Sequence, residues 1–319
     1  EEPAVGLVVP YGNGGALVAS VEGRDVWTFG REGAVPVAGT RPLLSGVLSW
    51  AAPLPGGAVL GLDAAGVLRF DADGAARILS FDTKPERPKV TARLLPGPER
   101  SAWLWREGML ERIDAAGVVV ARVPDFGPAP SAASPAAGGM VLLAGSSVLR
   151  VDTDRFTGID GDVPLLAPPV EVARVGTAPL RACVEDERGD LWITTYGEGL
   201  ARLTPSGRVD RWTTSDGLVD DYLGAVAVAR DRDGVPRLWL NSNVGVFAVT
   251  FESLDAALVS SAASLVTRRI PTPEGNGVSG CAVGDGGLLF PTIEGLARVQ
   301  PSELRLQRPK LGEPRNQPA

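Results

Sequence analysis

Tyr196, Glu198, Asn241, Asn243 and Glu294 stand at one recurring place in this chain, the turn that follows the second apolar run of a repeated unit. Arg24 and Arg106, with Glu22 and Glu107, hold the matching place in earlier units, while Asp220, Tyr222 and Asn276, with Asp216, Asp221 and Glu274, lie in segments that enter such units. Hydroxyl, amide, carboxylate and guanidinium groups with two tyrosines suit the hydrogen bonding of a polar small molecule such as a sugar. Each of these residues taken singly also fits a solvated turn. Their collective placement is what points to a ligand.

The rest of the chain narrows the chemistry. There is no histidine in the 319 residues, which removes Ser/His/Asp and Cys/His nucleophile pairs and every His-ligated metal site. The two cysteines, Cys183 and Cys281, fall on the innermost strands of units separated by a whole unit, beyond the Cα separation of about 7 Å that a disulfide tolerates. Two reduced, buried thiols are expected, and two thiols alone do not make a zinc site. Asp71-Ala72-Asp73-Gly74 and Asp231-Arg232-Asp233-Gly234 have the opening of a calcium loop without its later bidentate glutamate, so both read as hairpin turns. No cofactor and no metal site is expected.

With 31 basic against 38 acidic residues the formal charge is −7, and no basic cluster offers a phosphate-binding surface, so nucleic acid is not an expected partner. No apolar run approaches the roughly 18 residues of a membrane span, so no membrane contact is expected within this segment. Glu1-Glu2-Pro3 is not a signal peptide. Gly and Pro number 40 and 27, a composition for a fold that turns every few residues rather than for a disordered chain.

The elements that position the candidate residues follow from a repeat. Leu17, Val59, Trp103, Val141, Trp192, Trp239 and Leu289 occupy the same point of a turn, strand, turn, strand unit, at spacings of 42, 44, 38, 51, 47 and 50 residues. All-strand repeats of about 40 to 50 residues indicate propeller blades. A blade covered on both faces should have continuous apolar inner strands, as in Met140-Val141-Leu142-Leu143. The expected fold is all-β, a seven-bladed β-propeller of four-stranded antiparallel blades. It spans 1–311 as one domain, and 312–319 forms a tail or linker.

Pro124 to Pro135 reads as a surface connection with a weak inner strand, since proline cannot donate to a ladder. Asp152 to Pro169 reads as a long irregular passage. Ser253 to Ala263 reads as a helix capped by Ser253 and packed outside a blade.

Three stretches carry a resemblance. Leu191-Trp192-Ile193-Thr194-Thr195 with Gly197-Glu198-Gly199-Leu200-Ala201-Arg202-Leu203 and Trp212-Thr213-Thr214-Ser215-Asp216-Gly217-Leu218 resembles the repeat of the two-component regulator propeller family. Leu238-Trp239-Leu240-Asn241-Ser242-Asn243-Val244-Gly245-Val246-Phe247 is similar to that family's penultimate repeat, and Glu274-Gly275-Asn276-Gly277 through Pro301-Ser302-Glu303-Leu304 to its closing one. The resemblance is specific over about Arg181 to Leu311. The Gly-His and Trp-Asp pairs of WD repeats are absent, and the Gly-Gly pairs precede the second strand instead of closing it as in kelch repeats.

In the family the propeller lies outside the cytoplasmic membrane and precedes a β-sandwich, a membrane helix and a histidine kinase or diguanylate cyclase module. The resemblance thus implies a periplasmic or extracytoplasmic, ligand-sensing and non-catalytic part of a bacterial membrane-anchored receptor. It also implies a homodimer formed through the full-length protein. Two rivals remain open: a metal-dependent sugar lactonase or lyase-like propeller enzyme, testable at Glu198, Asn241, Asn243 and Glu294, and a protein-binding scaffold.

Overall fold

A computed structural model of the chain describes all residues except 1–4, 13, 22–24, 31–32, 83–90, 137–138, 260–264, 266, 271–280, 283–286, 303–304 and 308–319. Arg24, Asn276, Glu22, Glu274, the end of the expected helix and the 312–319 tail therefore lie outside the described residues.

The described strands form six four-stranded sheets and one six-stranded sheet. Each sheet starts from an inner strand, in chain order Val5–Tyr11, Trp50–Pro53, Ala92–Pro96, Pro130–Ala136, Leu180–Glu185, Leu223–Arg230 and Cys281–Ala282. The seven aligned residues, from Leu17 to Leu289, all fall on the second strands. These strands read as unbroken apolar runs because both faces are covered: Leu191–Thr195 and Leu288–Thr292 are buried at every position.

Side chains from successive sheets interdigitate in separate apolar clusters. Leu17 and Val59 share the first such seam, Leu60 and Leu104 the next, and Trp103 and Leu142 the one after. Val141 with Ile193, Trp192 with Leu240, and Trp239 with Phe290 continue the series. Val5 and Val8 meet Leu289 and Leu296, so the last sheet packs on the first and the ring closes. No sheet covers its own faces. Mutual burial of apolar surface, at about 25 cal/mol per Å², holds the sheets together.

Six four-stranded blades, not seven, match the expectation. The third sheet differs because the passage Asp152 to Pro169 is not irregular. It forms a hairpin, Phe156–Asp160 with Val163–Leu166, that leaves the fourth sheet and pairs in parallel with the outer strand Val119–Val123 of the third, Arg122 opposite Leu165. Arg122 bridges Asp160 of this hairpin and the fully buried Glu111, which also accepts from Arg106 Nε at 2.8 Å.

Two smaller expectations also change. The Pro-rich stretch holds a seven-residue inner strand, with Pro130 and Pro135 opposite Ala144 and Met140. An inner strand pairs on one side only, so the missing N–H groups can face the channel without breaking the ladder. The helix runs Phe251–Val259, and its cap is Thr250, whose Oγ1 accepts from Ser253 N at 3.2 Å, with Ser253 inside the first turn. Leu254 is fully buried in the seam between the fifth and sixth sheets, so the helix packs on the ring as expected. The two Asp-rich turns are hairpins in which Asp71 Oδ1 and Asp231 Oδ1 accept from the backbone two residues on.

Candidate functional site

Inner strands begin on the face of the ring where second strands end, so the loops between sheets and the turns after second strands share one mouth. Between the fifth and sixth sheets these loops are tied together. Tyr196 pairs with Tyr222 across an isolated bridge, and Gly197 N and Gly199 N both donate to Asp221 O, at 2.9 and 3.0 Å. Thr195 Oγ1 closes the turn, donating to Gly199 O at 2.8 Å and accepting from Glu198 N at 3.0 Å. Gly199 is held at φ 72°, and a Cβ there would overlap the Trp212 carbonyl, so only glycine fits.

The entering loop is built by the motif Thr213-Thr214-Ser215-Asp216-Gly217. Thr213 and Asp216 form a reciprocal capping box on a short 3-10 turn that ends at Gly217 with φ 99°. Asp221 accepts from Thr214 N and Oγ1 at 2.7 and 2.9 Å. Asp216 and Asp221 therefore shape the loop and are not free for a ligand.

What the loops present is a tyrosine pair. The Tyr196 and Tyr222 rings meet edge to face at 5.1 Å between centroids and remain 44 % and 47 % exposed, giving a rigid aromatic corner with two phenolic hydroxyls. Asp220 Oδ1 accepts from Tyr222 N at 3.0 Å, and its buried Oδ2 has no hydrogen-bond partner. The Arg181 guanidinium lies 5.2 Å from the centre of the Tyr196 ring.

Glu198 stands beside this corner as a fixed carboxylate. Its Oε1 accepts from Thr177 Oγ1 at 2.7 Å and from Thr177 N at 3.1 Å, and Arg211 Nη1 lies 3.3 Å from Oε2. The hydrogen bond from Thr177, with Arg211 adding to it, holds its pKa below the usual carboxylate range. Gly176, at φ 61°, makes room for it, because a Cβ there would overlap the Glu198 carboxylate. Gly176→Ala is expected to destabilise the fold by about 1–3 kcal/mol. It should also raise the Glu198 pKa, which carboxyl-carbon NMR titration would read; an unshifted Glu198 titration would refute the clamp.

The other sequence-derived residues divide. Asn243 and the exposed Glu294 lie in the turns after the second strands of the sixth and seventh sheets. Asn241 does not reach the mouth. It is 1 % exposed and donates Nδ2 to Pro291 O at 3.3 Å, bridging the sixth and seventh sheets. Its counterpart Thr194 does the same one sheet earlier, donating to Gly224 O at 2.6 Å and accepting from Ala182 N in the bulged inner strand. A polar residue here is a seam clamp. Arg106 is likewise committed to Glu111 and lies over the Phe81 ring. Cys183 is a free thiol whose burial pushes its pKa up to about 12, so it is an unreactive thiol at neutral pH.

Besides Thr177 and Gly176, two features had no sequence signal. A cleft of about 690 Å³ opens between the added hairpin and the mouth loops of the third sheet, lined by Glu107, Met109, Arg122, Asp125, Ile159 and Leu165 among others. Arg181, an ordinary strand residue in sequence, gains its place from the bulge beside it.

No protein-family model matches the chain, and no curated protein matches it. Solved structures do. The extracellular domain of the putative hybrid two component system BT3049 from B. thetaiotaomicron superposes with a TM-score of 0.66 at 15 % identity, over 93 % of this chain and 39 % of that one. That of BT4673 from the same organism gives 0.62 at 13 %, over 93 % and 38 %. Virginiamycin B lyase from Staphylococcus aureus gives 0.55 at 17 %, over 81 % and 82 %. The chain thus spans about two-fifths of the length of the two extracellular-domain structures. At these identities the likeness establishes the fold: the chain is a β-propeller of the build found in extracellular domains of two-component systems and in virginiamycin B lyase.

Proposed function

We propose that this chain is the ligand-sensing propeller of a membrane-anchored signal-transduction receptor, a member of the two-component regulator propeller family that works outside the cytoplasm and performs no chemistry itself. One ring over 1–311 and a linker over 312–319 fit that role, as do pairing with a second copy through the full-length receptor and an output through a kinase or cyclase. The observation that carries the reading is the exposed Tyr196–Tyr222 corner, fixed by backbone hydrogen bonds beside an ionised Glu198. Rigid aromatic and carboxylate groups suit recognition of a polar small molecule. Differential affinity for two receptor arrangements would then set the signal.

The rival enzyme reading has one observation behind it, the shared fold with virginiamycin B lyase. Against it, the chain has no histidine for acid–base work, Glu198 is clamped by Thr177, and Asn241 is buried in a seam.

A thermal-shift screen with sugars and divalent metals tests the proposal, since a ligand that binds only the folded state raises the melting point. A sugar should raise it without being consumed, and the Tyr196→Ala, Glu198→Ala double variant should lose that rise. A metal-dependent turnover of a lactone, or an unchanged rise in the variant, would overturn the reading or the site.

A further inference from the structure

The inner strands of neighbouring sheets can be aligned through their first residues, each of which pairs with the end of its second strand: Ala92 with Arg106, Pro130 with Ala144, Leu180 with Thr195, Leu223 with Ser242. The next residue in each forms a tier just inside the mouth. That tier reads Arg93, Ser131, Arg181, Gly224. Two arginines stand there with small residues between and beside them.

Neither arginine has a carboxylate partner among the described residues. Arg93 Nη1 donates to the Ala92 carbonyl at 3.1 Å and its guanidinium lies 4.9 Å from the Trp50 ring centre. Arg181 Nε is buried with no hydrogen bond, and the guanidinium rests on Tyr196. Most other described arginines are in ion pairs, as a chain with an excess of acid allows. Three mouth carboxylates are already taken: Glu198 by Thr177 and Arg211, Asp221 by Thr214, Asp216 by Thr213. Asp220 turns one oxygen to Tyr222 N and forms no ion pair with Arg181.

Withdrawing a guanidinium from water without a counter-charge is unfavourable. Stacking on an aromatic ring offsets only part of that cost. Burial lowers the Arg93 pKa for the same reason. The planar fork of arginine is suited to bidentate binding of carboxylate, sulfate or phosphate.

We infer that the channel mouth receives the oxyanion group of an acidic ligand, with Arg181 beside the tyrosine corner as its principal contact and Arg93 as a second. The inference rests on the sensing reading and narrows its ligand to an anionic class.

Calorimetric titration of the protein with glucuronate and with glucose, and separately with inorganic sulfate and phosphate, tests it. Glucuronate should bind at least about tenfold more tightly than glucose, the factor expected of one charged hydrogen-bonded contact, and should weaken as salt rises. Arg181→Gln should lose that preference, Arg93→Gln should reduce it, and Arg181→Lys should keep part of it with the fold intact. Arginine-dependent binding of sulfate or phosphate alone supports the same chemistry from a different source. Equal binding of glucose and glucuronate would overturn the anionic assignment while leaving the sensing reading in place. Binding unaffected by all three substitutions, or no binding of any of the anions, would overturn the assignment as well.

Discussion

Arg202→Ala is expected to be among the most damaging single substitutions in this protein, costing about 3–5 kcal/mol, the usual effect of removing one partner from a buried ion pair. Arg202 is 4 % exposed and packs against the touching Trp192 and Trp212 rings, 5.4 Å from each ring centre. Its Nε and Nη2 donate to Asp210 Oδ2 at 3.0 and 2.8 Å, its Nη1 donates to Asp255 Oδ1 of the helix at 2.6 Å, and Asp190 lies 3.6 Å away. Alanine would leave Asp190 and Asp210 without their main counter-charge and open a gap beside the two indoles.

The loss should depend on pH in a defined direction. Burial already raises the Asp190 pKa, with Arg202 opposing it. A carboxyl with a raised folded pKa contributes stability that is fully present below its unfolded value and is lost as pH rises through the folded value. Without Arg202 that pKa should climb further. The deficit is therefore largest near neutrality and shrinks toward about pH 4 and below, where the unfolded aspartate protonates too. Urea midpoints of parent and variant across that range measure it. A deficit independent of pH would show that packing against the tryptophans, and not charge, is what the arginine supplies.

Asp63→Asn should cost a similar amount at neutral pH and flatten the acid limb, here through a carboxyl whose pKa is shifted down instead of up. The Asp63 side chain is fully buried and accepts five hydrogen bonds, from Ser45, Ala65 and Gly66 backbone N–H groups at 2.8 to 3.0 Å and from Arg77 Nη1 and Nη2 at 2.9 and 2.7 Å. Burial pushes its pKa up, but Arg77 and the N–H groups outweigh that and hold it below the ordinary aspartate range. The carboxylate thus contributes stability that is fully present above its unfolded pKa, about 3.9, and lost as pH falls through its lower folded value. An asparagine brings two N–H donors into a pocket of donors, leaving at least two of them unmatched at about 1–3 kcal/mol each. The parent should weaken steeply below pH 4 and the variant less so. Parallel acid limbs in urea or thermal melts would contradict this account.

The ring was legible in sequence because its cause is periodic: a sheet covered on both faces needs uninterrupted apolar strands, and Leu191–Thr195 or Leu288–Thr292 show that in their letters alone. The loop grammar was legible for the same reason, since a turn at φ 72° such as Gly199 admits little else. What stayed hidden depends on contacts between distant segments. Nothing in Asp152 to Pro169 says that its hairpin will add to the sheet before, because the pairing of Arg122 with Leu165 is decided by a free edge 40-odd residues upstream. Asn241 reads as a mouth residue because its chain position is next to a turn. Only the seam geometry, with Thr194 as its counterpart, shows that its amide works between sheets. Thr177, Gly176 and Arg181 gave no signal, since each acquires its role from a residue on another loop or strand.

The parallel pairing of Val119–Val123 with Val163–Leu166 also bears on modularity. Most units of the chain begin and end with their own sheet, so each is a piece that duplication or deletion could handle whole. The third is finished by a segment born inside the fourth, which also delivers Asp160 to Arg122. Removing the fourth unit would strip its neighbour of two strands and of a counter-ion, so the smallest piece this region can gain, lose or exchange intact is the pair.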